Sequence, residues 1–240
     1  FSRIEWFSQF SVKESVAEKF FVADRVLLAG DACHIHSVNG GQGLNTGLAD
    51  AFNLMWKLNM VLRFGAPPQL LQSYEDERLP VARSVIETSG ELVRSTKFSA
   101  TGTHALDYVK IVERRAGNVT GMGIRYGSQG TPGERVFDFE IFAGAQKTRI
   151  YSLLVYTKFT LLVFGEAAPA VELPAGITLR HIRPSPSSKD LWSERALYED
   201  QVILVRPDSY IESQGSAAEL EILLLDYRQR YLGSEFELAV

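Results

Sequence analysis

Apolar residues recur along the first part of this chain at helical spacing, and the longest such pattern covers Gly43–Phe64. Its apolar positions are three or four residues apart, which predicts one amphipathic helix whose apolar stripe faces a core. The stripe consists of Leu44, Leu48, Ala51, Met55, Leu58 and Leu62. Gly65 and the pair Pro67-Pro68 are expected to end the helix.

Shorter patterns predict further elements around this helix. Arg25–Gly30 lacks polar alternation, which is typical of a buried strand. Pro80 lacks a backbone donor, so it is expected to kink or break the helical pattern that surrounds it. The other predicted elements are a strand over Phe1–Val12, a short helix or turn over Lys13–Phe21, and helices over Gln69–Leu79, Val81–Lys97 and Leu106–Arg115.

The composition and the hydrophobic periodicity of the chain change after Arg115. Residues 116–134 contain six glycines and Pro132 with little periodicity, which indicates a connection between two domains. Strand and helix patterns then alternate, and this favours a small α/β domain. They comprise a helical turn over Ile150–Tyr156, strands over Phe159–Gly165, Ile177–Ile182 and Val202–Val205, and helices over Asp190–Tyr198 and Leu220–Tyr231. The predicted organisation is therefore a domain over 1–115, a connection over 116–134 and a domain over 135–240.

Charge and composition exclude several classes of function. The net charge is -4 and no basic face stands out, so nucleic acid is not an expected partner. No apolar run reaches the roughly 18 residues that a membrane span needs. Cys33 is the single cysteine, which excludes an intrachain disulfide, and nothing argues for secretion. A cytoplasmic location is expected.

The most informative chemistry follows the predicted strand at Arg25–Gly30. Asp31 comes directly after it, where a carboxylate can accept hydrogen bonds from the hydroxyls of a sugar or polyol. Asp31 as an ordinary turn or cap residue stays open as an alternative. Glycines 40, 41 and 43 then lead into the long helix, whose first N–H groups and dipole suit an anion or an electron-rich carbonyl. Strand, aspartate and glycine loop together predict a cofactor pocket.

The wider pattern resembles the second flavin-binding motif of the FAD-dependent aromatic hydroxylases, in particular the phenol hydroxylase branch. The residues that carry the resemblance are Gly30-Asp31-Ala32-Cys33-His34, Gly40–Gly47, Asp50–Leu54 and Trp56-Lys57-Leu58, and Leu71–Ala82 resembles the helix that follows in that family. Many family members have proline where Ser37-Val38-Asn39 stands here, so a modest change of loop shape is expected.

This resemblance implies a set of cofactor contacts. Asp31 would bind the ribityl hydroxyls of FAD, and the glycine loop at Gly41 would let the cofactor approach the backbone. The backbone of Gly43, Leu44 and Asn45 would face the pyrimidine end of the isoalloxazine ring. The implied reaction is hydroxylation of a small phenolic or related aromatic substrate with NAD(P)H as electron donor. The motif assigns no catalytic residue.

The family's dinucleotide-binding G-x-G-x-x-G motif and substrate-cavity sheet are missing, so the expectation is the C-terminal part of a hydroxylase. Gly121–Gly127 has one residue too many for a phosphate loop. The later region resembles a thioredoxin-like domain, on Pro132–Arg135, Phe159–Gly165 and Val202–Asp208. No C-x-x-C pair exists, so this domain would serve architecture and a homodimer contact rather than disulfide exchange. The alternative function is a non-catalytic truncated relic or interaction module built on that domain.

Other residue types favour structural roles. Cys33, His34 and His36 suggest a metal site, but a third ligand beside the two histidines is not evident, so no metal is expected. Cys33 is expected to be buried and inert. Core packing is expected for Trp6, Trp56 and Trp192, and packing with a hydrogen-bonded hydroxyl for Tyr74. Arg78 is expected to form an ion pair on its own helix face.

Overall fold

The computed structural model describes residues 2–3, 5–6, 13–37, 41–97, 109–110, 113–127, 133–143, 146–165, 169–183 and 201–234. The chain divides into two compact units, the first formed by Phe1–Ala51 with Arg78–Gly121 and the second by Phe52–Glu77 with Met122–Val240. Two long helices, α1 (Gly43–Phe64) and α2 (Gln72–Lys97), contribute residues to both units. The domain limits at 115 and 134 stay a prediction.

Short antiparallel strands replace the elements predicted before α1. β1 (Ser15–Val16) pairs with β4 (His34–Ile35), and β2 (Phe21–Val22) pairs with β3 (Val26–Leu27). The short helix or turn expected over Lys13–Phe21 is therefore wrong in its helical form. Between β2 and β3, Ala23 and Asp24 have φ of 51° and 54°, and two left-handed residues fit the twist of a tight hairpin.

The buried strand predicted over Arg25–Gly30 is also corrected. Only Val26–Leu27 is a strand, and Val26 is 51% exposed because β3 pairs with β2 alone among the described strands. The predicted strand over Phe1–Val12 lies mostly outside the described residues. Trp6, however, is described and is 81% exposed, so the expectation of core packing for Trp6 is wrong.

The helix α1 has the predicted limits, but it buries the opposite face. Leu44, Leu48, Met55 and Leu62 of the predicted stripe are between 54% and 78% exposed. The buried side consists of Thr46, Asp50, Asn53, Leu54, Trp56, Lys57 and Met60. Burial of these polar side chains is feasible because their charged and amide groups are paired, as described below. The pattern found the helix correctly and its buried face wrongly.

The helix α2 passes through Pro80 without a break, which corrects the expectation of two separate helices. Proline removes one bond to the carbonyl of Asp76, one turn earlier. Both Pro80 and Asp76 are exposed, so water can hydrogen-bond that carbonyl. Tyr74 is completely buried, as predicted. Val109–Lys110 and Glu113–Arg114 are helical within the partly described Leu106–Arg115, and α3 (Ala116–Val119) follows.

A four-stranded mixed sheet forms the centre of the second unit. Its strands lie in the order β10-β9-β7-β8; β7 and β8 are parallel, and β9 is antiparallel to both β7 and β10. The strands are β7 (Phe159–Phe164), β8 (Ile177–Ile182), β9 (Gln201–Val205) and β10 (Ile211–Ser216). A hairpin of β5 (Glu140–Ala143) and β6 (Gln146–Arg149) precedes them, and α4 (Leu220–Tyr231) follows.

Most predicted elements of this region are confirmed. β8 and α4 have the predicted limits, β7 and β9 differ by one residue, and Ile150–Leu153 forms a 3-10 turn. The predicted helix at Asp190–Tyr198, with Trp192, lies outside the described residues. β7 is buried on both faces: Phe159 and Leu161 join one core cluster, and Leu162 and Phe164 join another. Its one polar side chain, Thr160, accepts a hydrogen bond from the Val155 N–H at 3.2 Å.

None of the described helices is both long enough and apolar enough to cross a membrane.

Candidate functional site

The turn that carries Asp31 is a short 3-10 helix over Gly30–Ala32, directly after β3 and before β4. Gly30 has φ of +60°, a conformation that favours glycine. Cys33 closes the turn with a backbone hydrogen bond of 2.9 Å from its N–H to the Gly30 carbonyl. Asp31 is exposed, so its carboxylate can receive a ligand from outside.

The N-terminus of α1 is also open. Gly41 has φ of +62°, and a Cβ at this position would meet no atom within 4 Å. Gly43 is the first helical residue, and the next two residues, Leu44 and Asn45, are exposed. The first N–H groups of a helix have no acceptor inside it, and the helix dipole adds partial positive charge there. Val38, Asn39 and Gly40 lie outside the described residues.

Close backbone contact joins the Gly30–Ala32 turn to the start of α1. A Cβ at Gly30 would lie 3.7 Å from the Gly47 Cα, and a Cβ at Gly47 would lie 3.4 Å from the Gly30 Cα. A Cβ alone would make van der Waals contact at either position, and a side chain with atoms beyond Cβ at Gly47 would push the turn and the helix apart. The two glycines thus place Asp31 beside the first turns of α1, within one compact unit.

A buried cluster around Asp50 lies beneath this contact. The Asp50 carboxylate accepts hydrogen bonds from the Gly30 N–H at 3.0 Å, from the Arg78 Nε–H at 2.7 Å and from His34 Nε2 at 2.6 Å. The side chains of Asp50, Arg78 and His34 are at most 1% exposed. Burial alone would raise the pKa of Asp50, but the His34 hydrogen bond and the Arg78 charge outweigh it and hold that pKa below its usual value.

The Asp50 cluster was missed in the sequence. Arg78 was expected to pair along its own helix, but its partner is Asp50 on α1. A signal was nevertheless present: polar residues recur along α1 at helical spacing, parallel to the apolar stripe. They are Thr46, Asp50, Asn53 and Lys57, and all four are buried.

The cluster does not suit a metal ion. Ligand atoms of Cys33, His34 and Asp50 lie within 4.8 Å of one another. However, the Arg78 guanidinium already supplies the positive charge beside Asp50 and would repel a cation. The thiolate that a metal requires is also disfavoured, because burial, with Asp50 nearby, raises the pKa of Cys33 to about 12.

This environment predicts an unreactive thiol at Cys33, which is 3% exposed. At pH 8 the folded protein should react with a thiol reagent at least about 100-fold more slowly than the urea-unfolded protein, because the thiolate is scarce and shielded. The thiol reagent is one that releases a chromophore on reaction, and the chain has one cysteine, so the absorbance increase measures the reaction of Cys33. Reaction of the folded protein at the unfolded rate would contradict the prediction, and free glutathione serves as the control.

A second buried polar network, in the other unit, joins side chains of α1, α2 and the turn that follows β9. The Arg206 guanidinium donates to Glu77 at 2.8 and 2.9 Å and to Asp208 at 2.9 and 2.7 Å. Lys57 donates to Glu77 at 2.9 Å, and the Trp56 indole N–H donates to Asp208 at 3.0 Å. Trp56 is thus buried as predicted, and it also has a polar role.

Charge is balanced within this network. Burial alone would raise the pKa of Glu77, but Arg206 and then Lys57 lower it to about 2. Burial lowers the pKa of Lys57 to about 8, against the opposing charge of Glu77. The two cations and the two carboxylates compensate one another near neutral pH, which makes the network an architectural element rather than an open site.

Comparison with known proteins identifies the family of the chain. Residues 2–89 match the family model described as "FAD binding domain". A "Flavin-dependent monooxygenase" from Mycobacteroides abscessus is 36% identical over 236 residues, which cover 95% of this chain and 44% of the relative. The chain belongs to the FAD-dependent aromatic hydroxylases.

Two further members of this hydroxylase family illustrate its range. "Pentachlorophenol 4-monooxygenase" from Sphingobium chlorophenolicum is 34% identical, with 83% of this chain and 44% of the relative covered. The solved structure of OxyS anhydrotetracycline hydroxylase from Streptomyces rimosus superposes with a TM-score of 0.66 at 28% identity, over 91% of this chain and 46% of that one. The chain spans less than half the length of each of these relatives.

Proposed function

We propose that this chain is part of an NAD(P)H-dependent FAD monooxygenase that hydroxylates a phenolic or related aromatic substrate. The observation that carries the proposal is the pairing of an exposed Asp31 with the open N-terminus of α1, joined through Gly30 and Gly47. The free space at Gly41 fits a cofactor that approaches the backbone closely. When bound, FAD supplies the redox and oxygen chemistry, and the protein orients it.

Each predicted cofactor residue then has a physical role. The Asp31 carboxylate accepts hydrogen bonds from ribityl hydroxyls. The backbone at Gly43, Leu44 and Asn45 faces the pyrimidine end of the ring, where N–H groups and the helix dipole stabilise negative charge. Gly41 leaves room for the ring system, since a side chain there would fill that space.

The names of the relatives support the substrate class, and NAD(P)H as electron donor is what the family resemblance implies. Their names refer to pentachlorophenol, anhydrotetracycline and, in an Aspergillus fumigatus relative, phenol. A phenolic or related aromatic compound is therefore the proposed substrate class.

The sheet of the second unit supports a thioredoxin-like domain. Its strand order places the parallel pair β7–β8 beside the antiparallel pair β9–β10, and α4 follows the last strand. The chain contains no C-x-x-C pair, so this domain would have an architectural role. A homodimer through this domain stays a prediction.

Cofactor binding tests the proposal on protein expressed from the complete reading frame. Wild-type protein is expected to retain FAD near one equivalent and to oxidise NAD(P)H in the presence of a phenol. Asp31→Ala should weaken FAD binding by about 10- to 100-fold, because hydrogen bonds to a charged group contribute about 1.5–3 kcal/mol. Fluorescence titration with FAD measures the dissociation constant.

Asp24→Asn is the matched control, because Asp24 is exposed in the same unit and asparagine tolerates its left-handed conformation. Its FAD affinity should equal that of the wild type. Wild-type protein that is folded and binds no FAD would contradict the proposal and favour the interaction-module alternative. Equal affinity in Asp31→Ala would remove Asp31 from the site.

A further inference from the structure

We infer that Asp50 is a positioning residue, which locks the Gly30–Ala32 turn onto α1 and thereby presents Asp31 to the cofactor. The inference rests on the proposed function, since it concerns how the same site is held. Neither Asp50 nor its partners face the open side of the site, so their contribution would act through the turn. Three contacts within one compact unit hold the turn, the helix and the Asp50 carboxylate together.

The first contact is the direct bond between Asp50 and the turn. The Gly30 N–H donates to Asp50 Oδ2 at 3.0 Å, one residue before Asp31. Gly30 is also the left-handed residue of the turn, so its backbone orientation sets the direction of the Asp31 side chain. The Asp50 carboxylate, by accepting a hydrogen bond from this N–H, therefore fixes the turn at Gly30, where the backbone has the greatest conformational freedom.

The second contact holds the Asp50 carboxylate itself. Arg78 Nε donates to Oδ1 at 2.7 Å, and His34 Nε2 lies 2.6 Å from Oδ2. An ionised carboxylate only accepts hydrogen bonds, so His34 carries its proton on Nε2. Arg78 also donates to the Thr46 carbonyl at 3.3 Å, which joins α2 to the first turn of α1. Asp50 is thus restrained from two sides.

The third contact sets the distance between the turn and the helix. Gly47 and Asp50 are three residues apart, so both face the turn from one side of α1. Gly47 lets the backbone of the turn lie close to α1, since a Cβ at Gly47 would be 3.4 Å from the Gly30 Cα. The hydrogen bond from the Gly30 N–H to Asp50 holds the turn at this distance. The missing side chain at Gly47 and the carboxylate of Asp50 together hold the turn against α1.

A double-mutant cycle on FAD affinity tests this role. Asp50→Asn keeps the shape of the side chain, but its amide N–H₂ replaces one carboxylate oxygen and therefore faces a hydrogen-bond donor, either the Gly30 N–H with His34 or Arg78. It is expected to weaken FAD binding at least about tenfold. If Asp50 acts through Asp31, the double variant Asp31→Ala/Asp50→Asn should bind FAD within about threefold of Asp31→Ala alone. Asp24→Asn again provides the neutral control, and urea unfolding verifies that each variant is folded during the titration.

Gly47→Val supplies an independent arm if Asp50→Asn does not fold. Its methyl groups extend beyond a Cβ that is already in contact with Gly30, so they should displace the turn while the Asp50 hydrogen-bonding groups are retained. The expected result is again at least about tenfold weaker FAD binding, and no further loss when Asp31→Ala is added.

The outcomes separate this inference from the proposed function. Suppose that the wild type binds FAD, that Asp31→Ala binds it more weakly, and that folded Asp50→Asn and Gly47→Val bind it as tightly as the wild type. This result would overturn the positioning role and leave the proposed function in place. Losses that multiply in the double variants would also overturn it, because they indicate an effect independent of Asp31. Failure of folded wild type to bind FAD would overturn the proposed function, and the positioning role with it.

Discussion

Arg206→Ala is expected to lower the free energy of unfolding by about 3–5 kcal/mol, because removal of one partner leaves buried charges uncompensated. Arg206 is 6% exposed and donates two hydrogen bonds to Glu77 and two to Asp208. Its guanidinium also stacks at 4.8 Å from the Trp56 ring centre. Alanine removes all of these contacts. Urea denaturation monitored by circular dichroism measures the change.

Arg230→Ala is the matched control for this substitution. Its side chain is 49% exposed and pairs with Asp226, which is 42% exposed, and with Glu212, which is 11% exposed. Water screens the Arg230 guanidinium, so the loss should be smaller than in Arg206→Ala. Adding Asp208→Asn to Arg206→Ala should recover part of the lost stability, because Lys57 still pairs with Glu77 and Asp208 is the carboxylate that loses its cation. Equal stability losses in Arg206→Ala and Arg230→Ala would show that the network is not a principal support of the fold.

Gly133→Ala is expected to destabilise the second unit by about 4 kcal/mol or more, a size that indicates a steric clash in the core. Gly133 has φ of +49°, and a Cβ would lie 1.4 Å from the Tyr126 carbonyl oxygen. The same two residues share a backbone hydrogen bond of 2.7 Å from the Tyr126 N–H to the Gly133 carbonyl. The backbone must therefore separate before alanine fits. Thermal and urea unfolding measure the loss.

Gly121→Ala is the control that shares the left-handed backbone conformation of Gly133→Ala but lacks its steric clash. Gly121 has a similar φ of +73°, but a Cβ there would meet nothing within 4 Å. Its cost should be limited to the left-handed conformation, about 1–2 kcal/mol. A loss in Gly133→Ala no larger than in Gly121→Ala would exclude the close contact between Gly133 and Tyr126.

The fold of the second unit was largely predictable because its signals are local. β7 reads as an apolar run that contains one polar residue, Thr160, and β8 and α4 have the predicted limits. Each of these elements is determined by residues that are neighbours in sequence. The hairpin β5–β6 was not predicted, since its pairing joins residues with little apolar alternation. The early strands β1 and β4 were also missed, because two-residue strands leave no periodic pattern.

The sequence motif predicts the candidate cofactor-contacting residues, and those residues stay a prediction; the buried cluster that supports them was not predicted. Asp31 and the glycine loop carry a motif, since ligand contact demands particular residue types at fixed spacing. Asp50 and Arg78 are 28 residues apart in the chain, and their pairing is visible only once α1 and α2 are placed together. A buried ion pair between two helices has no sequence period of its own.

The sequence by itself determined the family motif, the limits of α1 and most elements of the second unit, because these depend on local spacing and on residue type. The tertiary structure alone decided which face of α1 is buried. The apolar stripe at Leu44, Leu48, Met55 and Leu62 is exposed, and the polar stripe is inside. The physical reason is pairing: Asp50 meets Arg78 and Lys57 meets Glu77, so buried charges that would oppose folding alone are compensated by partners from α2.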